Sequence, residues 1–548
     1  MKPFIPGSIY IFLFALLGLV YLTGLTVPLM DNDSAHHANI ALHMQLTGDY
    51  ASLVDHNGDY LDKPHLLFWL SAFCYKIFGV TGFAYKLPSF FFTILGVYST
   101  YRLGKTLYNK ETGKLSALIL ASSFAFILAN NDVRMDAMLT ACIAFATWQL
   151  VEFIQTKKLL NVAGVALGLA LGFSTKGMIA VFVPAIGALL YILYRKDWKI
   201  FFNWKWLPVL LLFAVFISPV LYCYYLQYNL HPEKMVRGKD HINGIKFILL
   251  DQSVERFSGQ TGDTSKQDYF FFLHSFLWAF APWSILACIA ISGRLKNFLK
   301  RKEEWLTTGI FLIIFVLVSL SGFKLPHYLN VVFPVTSVMA AVFIINIQSS
   351  GKWTRPVFTI QLVISALLLV AMVVINAWAF PVSNVWIIIM LVLLLAQVFY
   401  FITSKMIPPL QKAVLIPVAT MILCFFLLNT NFYPQLSKYQ GGSQLAFTTE
   451  GRVDFNNVYF WKETQSSSFV FYTKTLRKRF DDSVLQAGKK TWLLFDIRDE
   501  MEIAEAGYVL GGRFTAPDYE ITKLDIGFII PEKRESRCSK LVVAEITK

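Results

Sequence analysis

Long apolar stretches recur along the chain, and charged residues, prolines and glycines separate them. A helix needs about 20 mostly apolar residues to cross the roughly 30 Å hydrocarbon core of a bilayer, and these stretches approach that length. The pattern predicts thirteen membrane-spanning helices, near residues 8–29, 84–103, 115–131, 135–155, 159–175, 177–194, 206–228, 270–292, 305–322, 328–348, 356–379, 385–403 and 412–430.

The composition agrees with this pattern, since 56% of the residues are hydrophobic and only 15% are charged. A soluble protein of 548 residues could not bury so much apolar surface. The sequence therefore predicts a multi-pass membrane protein in contact with the lipid bilayer.

Lys and Arg cluster in alternate loops, which fixes the predicted orientation. With a cytoplasmic N-terminus, the thirteen spans put every basic loop on the cytoplasmic side, as the positive-inside rule requires. The first loop, 31–83, falls on the opposite side and is acidic. The net charge of +14 is then explained by topology and predicts no nucleic-acid partner. We expect a multi-pass protein of an inner (plasma) membrane.

The composition changes after residue 430, where the last apolar stretch ends. Residues 431–548 are polar and contain short β-like runs, "WLLFDI" (492–497), "YVLGGRF" (508–514), "GFIIP" (527–531) and "KLVVAEI" (540–546). The sequence predicts an all-α membrane domain, 1–430, followed by a small soluble α/β domain, 431–548, on the outer face.

Unusual polar residues emerge at the outer face from segments that lie far apart in sequence. They come from two long outer loops, 31–83 and 229–269, and from three short turns between predicted spans. Apolar stretches within the long loops are too short to span, so we expect helices that re-enter or lie in the interface. The grouped residues are Asp33, Lys63, Asp136, Lys176, Arg256, Lys324, His327 and Tyr328.

This set of side chains has a clear chemical character. Lysine and arginine at a membrane surface suit a lipid-linked phosphate, which they hold through charge-assisted hydrogen bonds. A nearby carboxylate can accept a proton from an attacking hydroxyl. Together they predict transfer of a group from a polyprenyl phosphate, with the cations stabilising the departing phosphate.

Six motifs carry a family resemblance: "DNDSAHHANIALHMQLTGDY", "YLDKPHLLFWL", "FAYKLPS", "VRMDAML", "GFSTKGMIAVFVP" and "SGFKLPHYLNVVFP". In order and spacing they resemble the bacterial polyprenyl-phosphate-dependent glycosyltransferases of the GT-C class. That class includes protein O-mannosyltransferases and 4-amino-4-deoxy-L-arabinose lipid A transferases. The resemblance covers about residues 20–340 and extends to the layout of thirteen spans with an outer C-terminal domain.

The resemblance implies inverting transfer of a sugar from a polyprenyl-phosphate donor to a glycolipid, such as lipid A in lipopolysaccharide, or to a protein. It implies that Asp33 is the catalytic base or orienting residue, with Asp31 as the alternative. Lys63 matches a lysine near the donor phosphate. The other residues predicted to bind the phosphate or line the site are Lys176, Arg256, Lys324, Asp136, Arg134, His65, His327 and Tyr328.

The chain also departs from the family pattern. His36 and His37 stand where relatives often carry Arg-Tyr, and His65 follows Pro64 where they often carry a second proline. A histidine of the second long loop is missing at the matching position, and only Arg256 of that motif is retained. The identity of the acceptor therefore stays open.

No cofactor is predicted. Dependence on a divalent metal stays an open question, because "DND" at 31–33 has the Asp-x-Asp form. The six cysteines are scattered singly and predict neither a zinc site nor a disulfide framework. A transporter or flippase of a lipid-linked sugar is the alternative class. It would place its binding residues near the bilayer midplane on broken helices, whereas these charges gather at one face.

Overall fold

Helices dominate the first 430 residues of the computed structural model, which describes residues 3–56, 58–258, 268–485 and 490–548. The helices of the first half are α1 (Gly7–Leu25), α2 (Asp33–Thr47), α3 (Leu66–Phe78), α4 (Gly82–Leu107), α5 (Lys110–Ala121), α6 (Phe124–Asn131), α7 (Asp136–Thr156), α8 (Leu159–Lys176), α9 (Ile179–Arg195), α10 (Trp206–Tyr224), α11 (Gly244–Lys246) and α12 (Gln252–Ser258). They are followed by α13 (Phe271–Ala279), α14 (Ser284–Asn297), α15 (Trp305–Leu320), α16 (Phe333–Ser350), α17 (Thr354–Val373), α18 (Val385–Thr403) and α19 (Pro409–Leu427).

Within the described residues, eight helices are long and apolar enough to cross a membrane, or nine if the bent pair α5 and α6 forms one span. The predicted count of thirteen spans is not confirmed. Helices α9 and α15 have only 17 and 16 residues, and α4 has 26 residues but carries Lys86, Arg102 and Lys105. The stretch predicted as 270–292 is divided between α13 and α14.

Burial distinguishes the inner helices from the outer ones. Helices α7, α16 and α19 are almost wholly enclosed by other helices, whereas only about 17% of the residues of α17 and α18 are buried. An apolar helix that is exposed in a folded protein fits contact with lipid rather than with water. The chain is thus a multi-span membrane protein with a packed helical centre.

A short hairpin and the helices α2 and α3 fill the loop 31–83. The hairpin pairs β1 (Val54–Asp55) with β2 (Gly58–Asp59) in antiparallel register. The short apolar helix expected in this loop is present as the 13-residue α3. Helices α2 and α3 pack against each other through a cluster of buried side chains.

The C-terminal part contains a four-stranded mixed sheet in the order β3-β4-β6-β5. Strands β3 and β4 are parallel, and β6 pairs antiparallel with both β4 and β5. This confirms the predicted α/β character. The elements are α20 (Tyr433–Leu436), α21 (Gly441–Thr449), β3 (Val458–Phe460), α22 (Ser467–Thr473), β4 (Thr491–Asp496), α23 (Glu500–Glu505), β5 (Val509–Asp518), α24 (Ile526–Ile529), α25 (Pro531–Arg534) and β6 (Ser539–Thr547).

Two details of the strand prediction were wrong. The run "GFIIP" forms the short helix α24, because the Asp525 side chain accepts a hydrogen bond from the Phe528 N–H and starts a helical turn. Phe528 then stacks on Tyr519 with ring centroids 3.8 Å apart. Strand β3 was missed because it has only three residues.

The C-terminal domain docks on the helical body through aromatic and cationic contacts. The Arg534 guanidinium lies 3.8 Å from the centroid of the Phe380 ring, and its Nη2 donates to the Ala379 carbonyl at 2.6 Å. Phe528 and Tyr519 belong to the same buried cluster as the membrane helices. The domain is therefore held over the end of the helices that carries the polar turns.

Candidate active site

A charged cavity of about 670 Å³ lies where α2, the hairpin loop, the start of α7 and the end of α8 meet. Its lining holds five cations and three carboxylates, an excess of positive charge that favours an anionic ligand. The charged residues are Lys63, Arg134, Lys176, Arg237, Arg256, Asp33, Asp62 and Asp136, and the other polar residues are His36, His37, Tyr60, His327, Tyr328 and Thr522.

Asp33 lies at the first position of α2, directly after the residue that caps this helix. The Asn32 side chain accepts a hydrogen bond from the Ser34 N–H, which fixes the start of the helix and the direction of Asp33. Asp33 pairs with Arg134 Nη1 at 2.9 Å and keeps 51% of its side chain exposed. Burial alone would raise its pKa, but Arg134 and weaker basic neighbours lower the pKa below its usual value. Asp33 is thus ionised and open to the cavity.

Asp62 joins three cations that line the same cavity. Its carboxylate contacts Lys63, Arg237 at 2.7 Å and Arg256 at 3.1 Å. Burial would raise the pKa of Asp62, but Lys63 and Arg256 lower it well below its usual range. Asp62 therefore stays charged and holds the cations side by side.

Lys63 is the most buried of these cations, with 12% of its side chain exposed. Burial, together with the neighbouring charges of Arg256 and Lys176, outweighs the favourable effect of Asp62 and lowers the pKa of Lys63 to about 8. A lysine held near its titration point gains a full charge when an anion binds beside it.

A second buried pair joins the ends of α7 and α8. Lys176 Nζ lies 2.7 Å from Asp136, and only 4% of the Asp136 side chain is exposed. His327 Nε2 lies 3.6 Å from the same carboxylate, and Lys176 also sits 4.9 Å above the Tyr328 ring. Asp136 therefore serves as the counter-charge of Lys176 and is closed to a substrate.

Gly177 explains why α8 ends at Lys176. Its φ of +76° is easily adopted only by glycine, and a Cβ atom there would lie 2.5 Å from Gln252 Oε1. Gln252 in turn donates to the Asp62 carbonyl at 2.6 Å. Gln252 thus packs beside the "STKGM" turn and binds the segment that carries Asp62 and Lys63.

Most of the site residues predicted from the sequence line this one cavity. Asp33, Lys63, Asp136, Lys176, Arg256, Arg134, His327 and Tyr328 come together although they derive from five separate segments. Three others do not line it, and each has a local reason.

Asp31 points away from the cavity toward the C-terminal domain. Its carboxylate accepts hydrogen bonds from Ser466 Oγ at 2.6 Å, Ser468 N at 2.9 Å and Ser468 Oγ at 2.8 Å. The Asp31 N–H donates to Gln440 Oε1 at 2.8 Å. The carboxylate oxygens of Asp31 are therefore engaged in the contact with the C-terminal domain, and its role as an alternative catalytic residue stays a prediction.

His65 and Lys324 also lie outside the cavity lining. His65 precedes α3, contacts the Ala51 carbonyl at 2.9 Å and stacks near Trp69, so it holds the loop. Lys324 lies 5.7 Å above the Tyr269 ring. The contact with substrate that the sequence predicts for each of them stays a prediction.

Sequence reasoning gave no site role to several cavity residues, among them Asp62, Tyr60 and Arg237. Asp62 stands beside Lys63 in "YLDKPH" and could have been found as its counter-charge. Tyr60 and His37 contact each other, with 3.4 Å between the Tyr60 hydroxyl and His37 Nε2. Arg237 lies in the loop 229–269, where no periodicity marks it.

The sequence and the fold match known proteins. The family model for dolichyl-phosphate-mannose-protein mannosyltransferase matches residues 62–223. The undecaprenyl phosphate-alpha-4-amino-4-deoxy-L-arabinose arabinosyl transferase of Pseudomonas aeruginosa (strain UCBPP-PA14) is 26% identical over 336 residues, which cover 59% of this chain and 56% of the relative. A second such transferase, from Proteus mirabilis, is 27% identical over 333 residues, with the same coverage.

The fold similarity extends further than the sequence similarity. The crystal structure of ArnT from Cupriavidus metallidurans bound to undecaprenyl phosphate superposes with a TM-score of 0.75, covering 98% of both chains at 15% identity. The sequence matches span a little more than half the length of the curated relatives. The resemblance predicted from the six motifs is confirmed, and the predicted fold class is confirmed with it.

Proposed function

We propose, from this relationship to the GT-C glycosyltransferases, that the protein transfers a sugar from a polyprenyl-phosphate donor to an acceptor at the outer face of the bacterial inner membrane. The observation that carries the proposal is the cavity with five cations and a half-exposed carboxylate at one end of an apolar helical body. A lipid tail can lie along the helices while its phosphate enters the cavity.

The cations supply the phosphate site. Lys63, Arg237 and Arg256 are held together by Asp62, and Lys176 approaches from the turn after α8. When the bond between the anomeric carbon and the phosphate oxygen breaks, negative charge grows on that oxygen, and these preorganised cations stabilise it. The leaving group is the polyprenyl phosphate.

Asp33 supplies the carboxylate on the acceptor side. The acceptor oxygen attacks the anomeric carbon, the bond to the phosphate breaks on the opposite face, and the acceptor proton passes to Asp33. Attack opposite the leaving group inverts the configuration at the anomeric carbon. Because the pKa of Asp33 is low, it takes the proton late, when the new bond has already made the acceptor oxygen acidic.

Asp62 and Asp136 are poorer candidates for this role. Asp136 is buried beside Lys176, and Asp62 is engaged by three cations. If the acceptor is a phosphate that is already ionised, Asp33 orients it through Arg134 and accepts no proton. The relatives are named for 4-amino-4-deoxy-L-arabinose transfer, so that sugar and lipid A are the first donor and acceptor to test.

The experiment uses the full chain in proteoliposomes with radiolabelled undecaprenyl phosphate-4-amino-4-deoxy-L-arabinose or undecaprenyl phosphate-mannose and a lipid A acceptor. Release of undecaprenyl phosphate with label on the acceptor supports the proposal. Movement of the intact labelled donor across the vesicle without release would support a flippase and contradict it.

Donor recognition is tested separately by binding. Undecaprenyl phosphate should bind the purified protein and raise its melting temperature, since the ligand binds only the folded state. Undecaprenol, which lacks the phosphate, is the matched control and should produce little shift. Equal shifts by the two lipids would show that the cationic cavity does not recognise the phosphate.

A further inference from the structure

Three side chains that can bind metal meet beside the cavity and take no part in the proposed transfer. They are His36 on α2, Asp55 on β1 and His56 directly after it. Each offers one ligand atom, and the three atoms all lie within 4.8 Å of one another. Two imidazoles and a carboxylate therefore converge on one point.

The spacing fits a small tetrahedral ion after modest side-chain rotation. His36 Nε2 lies 3.1 Å from Asp55 Oδ2. Ligands about 2.0–2.1 Å from a tetrahedral zinc ion lie roughly 3.3 Å from one another, so this pair already has the required separation. The His36 and His56 rings have centroids 5.1 Å apart at 69°, which leaves room for an ion between them.

The backbone holds these ligands in place. Asp55 pairs with Gly58 in the β1–β2 hairpin, and His56 follows within the same hairpin. His36 is fixed one helical turn after the capped start of α2. Only 22% of the His36 side chain and 10% of the Asp55 side chain are exposed.

The space beside the ligands is a small cavity of about 190 Å³. It lies against the C-terminal domain, whose residues Gln465, Ser466 and Arg477 complete the lining. Arg477 directs its Nη1 to the His56 carbonyl at 3.3 Å. The cavity can accommodate a water or another oxygen ligand at an open coordination position.

We propose that His36, Asp55 and His56 bind a divalent transition metal of the zinc type, with its open position toward this small cavity. Imidazole nitrogens with one carboxylate suit zinc, whereas magnesium and calcium prefer oxygen ligands throughout. The ion replaces the direct contact between His36 and Asp55 and joins α2 to the hairpin. His36 lines the large cavity as well, so the ion fixes one wall of it.

Metal binding is tested on the full chain carrying no histidine tag, after removal of metal with a chelator. Addition of Co²⁺ should produce the visible absorption of a low-symmetry cobalt site, and Zn²⁺ should abolish it by competition. Elemental analysis after Zn²⁺ loading and desalting should find about one zinc per chain. Absence of the cobalt absorption, or no retained zinc, would overturn the proposal.

Single substitutions identify which side chains bind the metal. His36→Ala and His56→Ala should each lower zinc affinity by at least about tenfold, as should Asp55→Ala. His43→Ala is the matched control, because His43 lines the same small cavity outside the triad and should bind zinc as the wild type does. Wild-type zinc affinity in both His36→Ala and His56→Ala would contradict the assignment.

A melting curve without metal shows whether each variant is folded. Zn²⁺ should raise the melting temperature of the wild type and His43→Ala clearly more than that of His36→Ala and His56→Ala, because the two variants bind zinc more weakly. An equal rise in all four proteins would place the metal elsewhere. These readouts do not involve sugar transfer, so a failure of the metal-site proposal can be distinguished from a failure of the proposed function.

Discussion

Three aspartates line the same cavity, and their surroundings give them different chemistry. Asp136 is buried against Lys176, Asp62 is shared by three cations, and Asp33 is half exposed beside Arg134. Asp33 is the most exposed of the three and pairs with only one cation of the cavity, so exposure and pairing select Asp33 for contact with the acceptor. The sequence placed Asp33 and Asp136 in the site but could not rank them by burial.

Lys63 makes donor binding depend on pH. Its pKa is about 8 in the free protein, and a bound phosphate favours the protonated form. Affinity for undecaprenyl phosphate should therefore be full below pH 8 and fall by up to about tenfold per pH unit above it. Isothermal titration between pH 6.5 and 9.5 measures this dependence.

Lys63→Arg is the control for that titration. Arginine stays protonated throughout the range, so the decline above pH 8 should disappear in this variant. The same decline in Lys63→Arg would assign the titration to another group.

Substitutions of Arg256 and Lys324 test whether the residues that line the cavity, rather than all those predicted from the sequence, bind the phosphate. Both were predicted to hold the phosphate, yet only Arg256 lines the cavity. Arg256→Ala should lower undecaprenyl phosphate affinity at least about tenfold, because a charge-assisted hydrogen bond is lost. Lys324→Ala should change it less than about twofold. Equilibrium binding of the radiolabelled lipid measures both, and the reverse order would contradict the cavity assignment.

At the scale of elements, the sequence predicts the apolar helices and three of the sheet's strands well, because hydrophobic periodicity records burial. Prediction from the sequence fails where a tertiary contact determines the local structure or the position of a side chain. "GFIIP" is helical because Asp525 caps it and Phe528 enters an aromatic cluster. Arg237 joins the site through Asp62, a contact that no local pattern encodes.

Asp31 also makes a tertiary contact that no local sequence pattern reveals, and this contact gives a prediction about stability. Its carboxylate accepts three hydrogen bonds from the segment at the start of α22. Asp31→Ala should destabilise the docking of the C-terminal domain by about 2–3 kcal/mol, since buried donors lose a charged acceptor. Thermal unfolding and limited proteolysis of the junction measure the loss.

Asp49→Ala is the matched substitution for this test. Among the residues that the structure describes, Asp49 accepts hydrogen bonds from Ala51 and Ser52 alone, within its own exposed turn, so its loss should leave the junction resistant to protease. Equal protease sensitivity in the two variants would show that Asp31 does not hold the domain.

At the scale of the whole molecule, charge distribution predicts orientation. The basic loops should face the cytoplasm, and the cavity and C-terminal domain should lie on the outer face. In a chain whose six cysteines are replaced, Asp49→Cys and Arg452→Cys should react with a membrane-impermeant maleimide in intact spheroplasts. Lys199→Cys should react only after lysis. Labelling of Lys199→Cys in intact cells would reverse the orientation.

The central claim is that Asp33 acts on the acceptor side of a sugar transfer while the cations hold the donor phosphate. The most direct measurement is single-turnover release of undecaprenyl phosphate from a labelled undecaprenyl-phosphate sugar, compared between the wild type, Asp33→Asn and Asp49→Asn. Asp33→Asn should bind undecaprenyl phosphate at least as tightly as the wild type but release it at least about 100-fold more slowly, whereas Asp49→Asn should match the wild type. Release by Asp33→Asn at the wild-type rate would contradict the account.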